Sequence, residues 1–95
     1  MNFNAAVRVP EEVLFSELDN EAVLLNVSAG QYFGLDAVGT TMWQVLTSAA
    51  SAEAAYVELL DRFDVSAETL RADIECLLQE LMSEGLVYLD GESAR

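Results

Sequence analysis

The sequence predicts an α+β fold of winged helix-turn-helix type, with a three-stranded antiparallel N-terminal sheet followed by three helices. Three observations predict it. The first third of the chain carries short apolar runs broken by Asp19-Asn20 and Ser28-Ala29-Gly30, the rest switches to a hydrophobic period near 3.6, and three polar residues, Asp36, Ser51 and Ser66, stand where helices would begin. Strands first and helices second segregate into two layers. At 95 residues, 53% hydrophobic and with a mean hydropathy of +0.25, the chain has the size and composition of one globular domain. A single domain over 1–95 is expected, with its core at about 13–89 and mobile termini.

The elements follow in order. Val13–Leu18 and residues 21–27 read as strands, and Asp19-Asn20 between them tolerates positive φ, as a two-residue hairpin turn requires. Gln31–Leu35 is short and aromatic and completes a meander. With turns centred on Asp19-Asn20 and on 27–30, Phe15, Leu24 and Phe33 line up across one face, and Leu14, Leu25 and Tyr32 across the other. Asp36 then caps a helix from 37 to about 47 with an apolar stripe of Val38, Met42, Val45 and Leu46, flanked by Trp43. Ser51 caps a second helix, to residue 63, that repeats Ala55, Leu59, Leu60 and Phe63. Ser66 begins the longest, to about 84, with Leu70, Ile74, Leu77, Leu78, Leu81 and Met82 at helical spacing and Gly85 as its stop. Residues 86–89 form a short strand or a packed tail of undecided partner, and 90–95 are expected to fray.

Composition narrows function. Seventeen Asp and Glu against four arginines and no lysine give a net charge of −13, which repels nucleic acid and anionic membrane surfaces and favours cationic or neutral partners. With no histidine, no lysine and one cysteine, the usual general base, Schiff-base amine and thiol ligand pair are missing. No catalytic residue, metal or cofactor is therefore assigned, and the protein is not expected to be an enzyme. The carboxylates read as solvated helix faces, and Cys76 as a small buried hydrophobe. Gly30, Gly34 and Gly39 lack dinucleotide-site spacing and read as turn and close-packing residues, and Trp43 as core or half-buried. Residues 1–8 do not resemble a signal peptide, and no apolar run is long enough to span a bilayer. A cytoplasmic location is expected.

The third strand is the informative one. Gln31–Leu35 lies at one margin of the sheet and contains no charge, Lys or Pro of the kind that guards an edge. It has the profile of a strand awaiting another strand. Two alternatives would close it: pairing with 86–89, or exchange of strands between two protomers. A monomer or a strand-swapped dimer follows.

These residues also carry a resemblance. V-L-L-N-x-x-x-G-x-Y-F-G-L-D-x-V-G-x-x-x-W (23–43), D-V-S-x-E-x-x-x-x-D-I (64–74) and L-x-x-L-x-x-x-G-L-V (78–87) resemble the PqqD family of peptide chaperones, RiPP recognition elements that bind the leader of a ribosomally made precursor peptide. The resemblance covers about 13–89 and implies a winged helix-turn-helix that presents the leader to a modifying enzyme. It further implies that the leader adds antiparallel to the third strand and lodges side chains between that strand and the third helix. Carried onto this chain, the peptide-binding residues are Tyr32, Phe33 and Leu35 from the strand, and Leu70, Asp73, Ile74 and Leu77 from the helix, with Asp73 meeting a Lys, Arg or backbone N–H. A charge at Phe33 or Ile74 is then expected to weaken binding and leave the fold intact.

The pattern looks closest to stand-alone elements of lasso-peptide clusters, whose partner is a leader peptidase. The nearest alternative is a PqqD-type chaperone serving a radical-SAM enzyme in quinone-cofactor biosynthesis. An acidic protein-interaction module and a winged-helix DNA regulator are the remaining readings. Charge opposes the regulator, because the third helix offers only Arg71 among Glu68, Asp73, Glu75, Glu80 and Glu84.

Overall fold

A computed structural model of the chain describes residues 1–90. In chain order it contains β1 (Ala6–Arg8), β2 (Val13–Leu18), β3 (Glu21–Asn26), β4 (Gln31–Leu35), α1 (Ala37–Ser48), α2 (Ala52–Arg62), α3 (Ala67–Ser83) and β5 (Tyr88–Asp90). The expected α+β order is present, with β2-β3-β4 as an antiparallel meander and β1-β5 as a second, two-stranded sheet.

Local chemistry sets the meander. Asp19 and Asn20 both adopt positive φ, 54° and 68°, and so close the tight hairpin that pairs Leu18 with Glu21. Gly30 takes φ +69° in the second turn, where the Asn26 side chain accepts the Ala29 N–H at 3.1 Å. The register is the one the turns imply: Phe15 pairs with Leu24 and Leu24 with Phe33, while Leu14 pairs with Leu25 and Leu25 with Tyr32.

All three helices start at the anticipated caps. Asp36, Ser51 and Ser66 accept backbone N–H bonds from Gly39, Ala54 and Thr69 respectively. At the other end of α3 the Leu86 N–H reaches the Leu81 carbonyl and the Gly85 N–H the Met82 carbonyl, with Gly85 at φ +72°. Beyond that stop Leu86 and Val87 are buried, and the chain continues into β5. Leu24, Leu46, Leu59, Leu70, Ile74, Leu78 and Leu81 form the centre of the core.

Three expectations need correction. The N-terminus is structural: Phe3, Ala5 and Val7 are buried, the carbonyls of Phe3 and Ala5 accept the N–H groups of Glu53 and Ala52 at the start of α2, and β1 pairs with β5. The tail therefore fills β1 and leaves β4 alone, with Tyr88 opposite Arg8 and Asp90 opposite Ala6. Asp90 belongs to a strand, and the remainder of the expected frayed tail, 91–95, lies outside the described residues. Finally, Val38 is exposed, so the core stripe of α1 is Met42, Trp43, Val45 and Leu46.

Candidate functional site

Strand bonding alternates, so one contact fixes which main-chain groups of β4 are free. Val27 donates its N–H to the Glu12 carbonyl at 2.9 Å, which turns the odd-numbered residues of β3 toward β2. The even-numbered residues turn toward β4, as the bond from the Gly30 N–H to the Asn26 carbonyl at 2.8 Å also requires. Through the pairs Ala22–Leu35, Leu24–Phe33 and Asn26–Gln31, β4 spends Gln31, Phe33 and Leu35 on β3. Tyr32 and Gly34 direct their N–H and C=O outward, and among the described residues no strand pairs with that edge.

The sheet has a second free edge, on β2. The two are unlike. The β2 edge carries Glu17, whose carboxylate accepts a bond from Gln44 of α1 at 3.1 Å, whereas β4 carries no charge. The β4 edge also leads at its C-terminal end into a groove of about 250 Å³ between α1 and α3. Asp36, Val38, Gly39 and Met42 line one side, and Asp73, Cys76, Leu77 and Glu80 the other.

The structure sorts the seven expected site residues into four groups. Asp73 and Leu77 line the groove, one exposed and one half-buried. Phe33 and Leu35 point from β4 into the protein, where Phe33 packs partly buried against the core and Leu35 is buried beside Asp36. Tyr32 lies on the opposite face of the sheet and is 77% exposed. Leu70 and Ile74 are core residues, 1% and 0% exposed. They belong to the core, line no part of the groove and offer no free side chain. A charge at Ile74 would therefore be buried and unpaired, contrary to the expectation of an intact fold.

Sequence reasoning missed several groove residues. Cys76 was expected to be buried and is exposed, because it follows Asp73 by three residues and so shares its face of α3. Glu80 continues that row. Gly39 is small for a local reason: a Cβ there would lie 3.3 Å from both the Asp36 carboxylate and Leu35 Cδ2. The site is anionic, with Asp36, Asp73 and Glu80 around it. Each arginine among the described residues is already paired, Arg8 with Asp90, Arg62 with Glu58 and Arg71 with Glu53. Arg71 also lies over the Phe3 ring at 4.0 Å. Among the described residues α3 thus has no unpaired cation for a phosphate.

Comparisons with known proteins bear on the family and the fold. A family model described as coenzyme PQQ synthesis protein D (PqqD) matches residues 21–87. Among solved structures, TbiB1 in complex with the TbiA(β) leader peptide is 30% identical, with a TM-score of 0.79 over 92% of this chain and 99% of that one. Lasso peptide synthetase B1 complexed with the leader peptide is 24% identical, also with a TM-score of 0.79, over 88% of this chain and 99% of that one, and shares the fold. No curated protein matches the sequence.

Proposed function

The chain belongs to the PqqD family, and from that premise we propose that it is a RiPP recognition element that binds the leader of a ribosomally made precursor peptide by strand addition to β4. The single observation that carries the reading is the outward main chain of Tyr32 and Gly34 on an uncharged edge, next to the groove between α1 and α3. Main-chain bonds hold the peptide whatever its sequence. Side chains that point inward meet Phe33, Leu35 and Leu77, while Leu70 and Ile74 stay in the core. Asp73 meets a Lys, an Arg or a backbone N–H.

Binding suffices for this role, and catalysis belongs to the enzyme that receives the peptide. We assign that enzyme to lasso-peptide biosynthesis, as a leader peptidase. The likeness to TbiB1 over nearly the whole of both chains supports this branch, as does the shared fold with a lasso peptide synthetase B1. The description of the matching family model favours a second reading, a chaperone in quinone-cofactor synthesis.

The test is titration of the purified protein with fluorescently labelled leader peptides of the short precursors encoded beside its gene. The Kd expected for a short peptide held by strand addition lies between roughly micromolar and nanomolar, about −8 to −12 kcal/mol. Failure of every such peptide to bind at micromolar concentration would overturn the reading.

A further inference from the structure

The outer face of the β2-β3-β4 sheet holds a hollow of about 510 Å³ that the groove reading does not use. It lies over the row Ser16, Val23 and Gly34, which pair across the three strands, with Leu18 as a wall and Glu21 and Asp36 among its lining. Leu18 is 75% and Val23 44% exposed. We infer that this hollow is a second side-chain subsite, which takes an aromatic side chain of the bound peptide from the residue that pairs with Gly34. The inference rests on strand addition at β4 and specifies the substrate that such a site prefers.

Bonding parity carries the first step. A strand added to β4 bonds to Tyr32 and Gly34, and directly opposed residues of paired strands project to the same face. Tyr32 and Gly34 lie on the outer face, because Phe33 and Leu35 point inward. One peptide residue therefore stands beside Tyr32 and another beside Gly34, both outside. The peptide residue between them points inward.

Gly34 carries the second step. Its φ is outside the left-handed region and a Cβ built on it would meet nothing within 4 Å, so the free protein has no need of glycine there. Glycine in a strand interior weakens the strand and leaves main chain uncovered. An aromatic ring on the neighbouring strand covers such an edge glycine. Here a ring laid across Gly34 would reach Val23, its partner on β3, which the free protein leaves exposed, and a Cβ at position 34 would lift it off. The vacancy thus has a use in the complex alone.

The experiment is a double-mutant cycle. Gly34→Val and Gly34→Ala are titrated with the labelled leader peptide that binds the native protein, and with its single-alanine variants. Thermal melting confirms the fold, and amide protection at Tyr32 reports strand addition separately. The expected result is that Gly34→Val weakens the parent peptide roughly fivefold or more. That loss should vanish against one peptide variant, the one in which an aromatic residue has become alanine. Where Gly34→Val lowers the melting temperature, Gly34→Ala carries the same cycle with a smaller loss in the same direction. Two outcomes would overturn the subsite while leaving strand addition standing: affinity unchanged within about twofold for both variants, or an equal loss against every peptide. Loss of amide protection at Tyr32 in the native complex would instead remove the reading on which the subsite rests.

Discussion

The Val27 N–H bonds to the Glu12 carbonyl at 2.9 Å, and that contact decides the chemistry of a strand it never touches. It turns the odd-numbered residues of β3 away from β4, which leaves Tyr32 and Gly34 as the free donors and acceptors of the open edge. Phe33, between them, is already satisfied by Leu24. The position that looks most exposed in sequence, an aromatic pair at an edge, therefore divides into one residue that faces out and one that faces the core.

Leu77 and Ile74 should separate binding from stability. Leu77 is half-buried at the groove, so Leu77→Asp should weaken leader binding at least about tenfold, roughly 1.4 kcal/mol, with a native-like circular dichroism spectrum. Ile74 is fully buried, and Ile74→Ala should lower unfolding stability by about 2–5 kcal/mol in urea titration. Unaltered affinity in Leu77→Asp would exclude the groove.

Cys76 provides a built-in reporter. It is the sole cysteine, it is exposed, and it lines the groove beside Leu77 and Asp73. Saturation with leader peptide should slow its alkylation by maleimide several-fold under native conditions. An unchanged rate in a saturated complex would place the peptide elsewhere.

Charge should act on the approach. With a net charge of −13 and carboxylates at Asp36, Asp73 and Glu80, association with a basic leader should slow about tenfold or more between low salt and half-molar salt. Dissociation should change less. Stopped-flow mixing checks this, and a salt effect confined to dissociation would contradict it.

Two substitutions test the scaffold in opposite directions. Gly85 sits at φ +72° in the helix stop, so Gly85→Ala should cost about 1–2 kcal/mol. Thr40 is buried and its hydroxyl is the one buried side-chain polar atom without a partner among the described residues. Thr40→Val keeps the shape, removes that hydroxyl and should raise stability by about 1 kcal/mol. Both are read from urea unfolding.

Much of this was legible in the sequence because local chemistry and global packing agree. Asp19-Asn20 fixed one turn, Gly30 the other, and together they set the pairing of Phe15, Leu24 and Phe33. The caps Asp36, Ser51 and Ser66 set the helix starts. The misses have physical causes. Phe3, Ala5, Val7 and Val9 alternate with Asn2, Asn4, Ala6 and Arg8, a strand pattern whose partner, Tyr88–Asp90, lies at the far end of the described chain, where no local turn announces it. Leu70 and Ile74 belong to the same apolar stripe as Leu77, and periodicity alone does not say which of them closes the core and which borders the groove. The groove itself depends on how α1 meets α3, a relationship between distant segments that a one-dimensional pattern does not contain.

Residue-resolved amide exchange, with and without saturating leader peptide, tests strand addition most directly. The Tyr32 and Gly34 amides should exchange rapidly in the free protein and at least about tenfold more slowly in the complex, while Phe33 is protected in both. Protection that appears instead at Phe15 and Glu17 on the β2 edge, or at neither edge, would contradict the account.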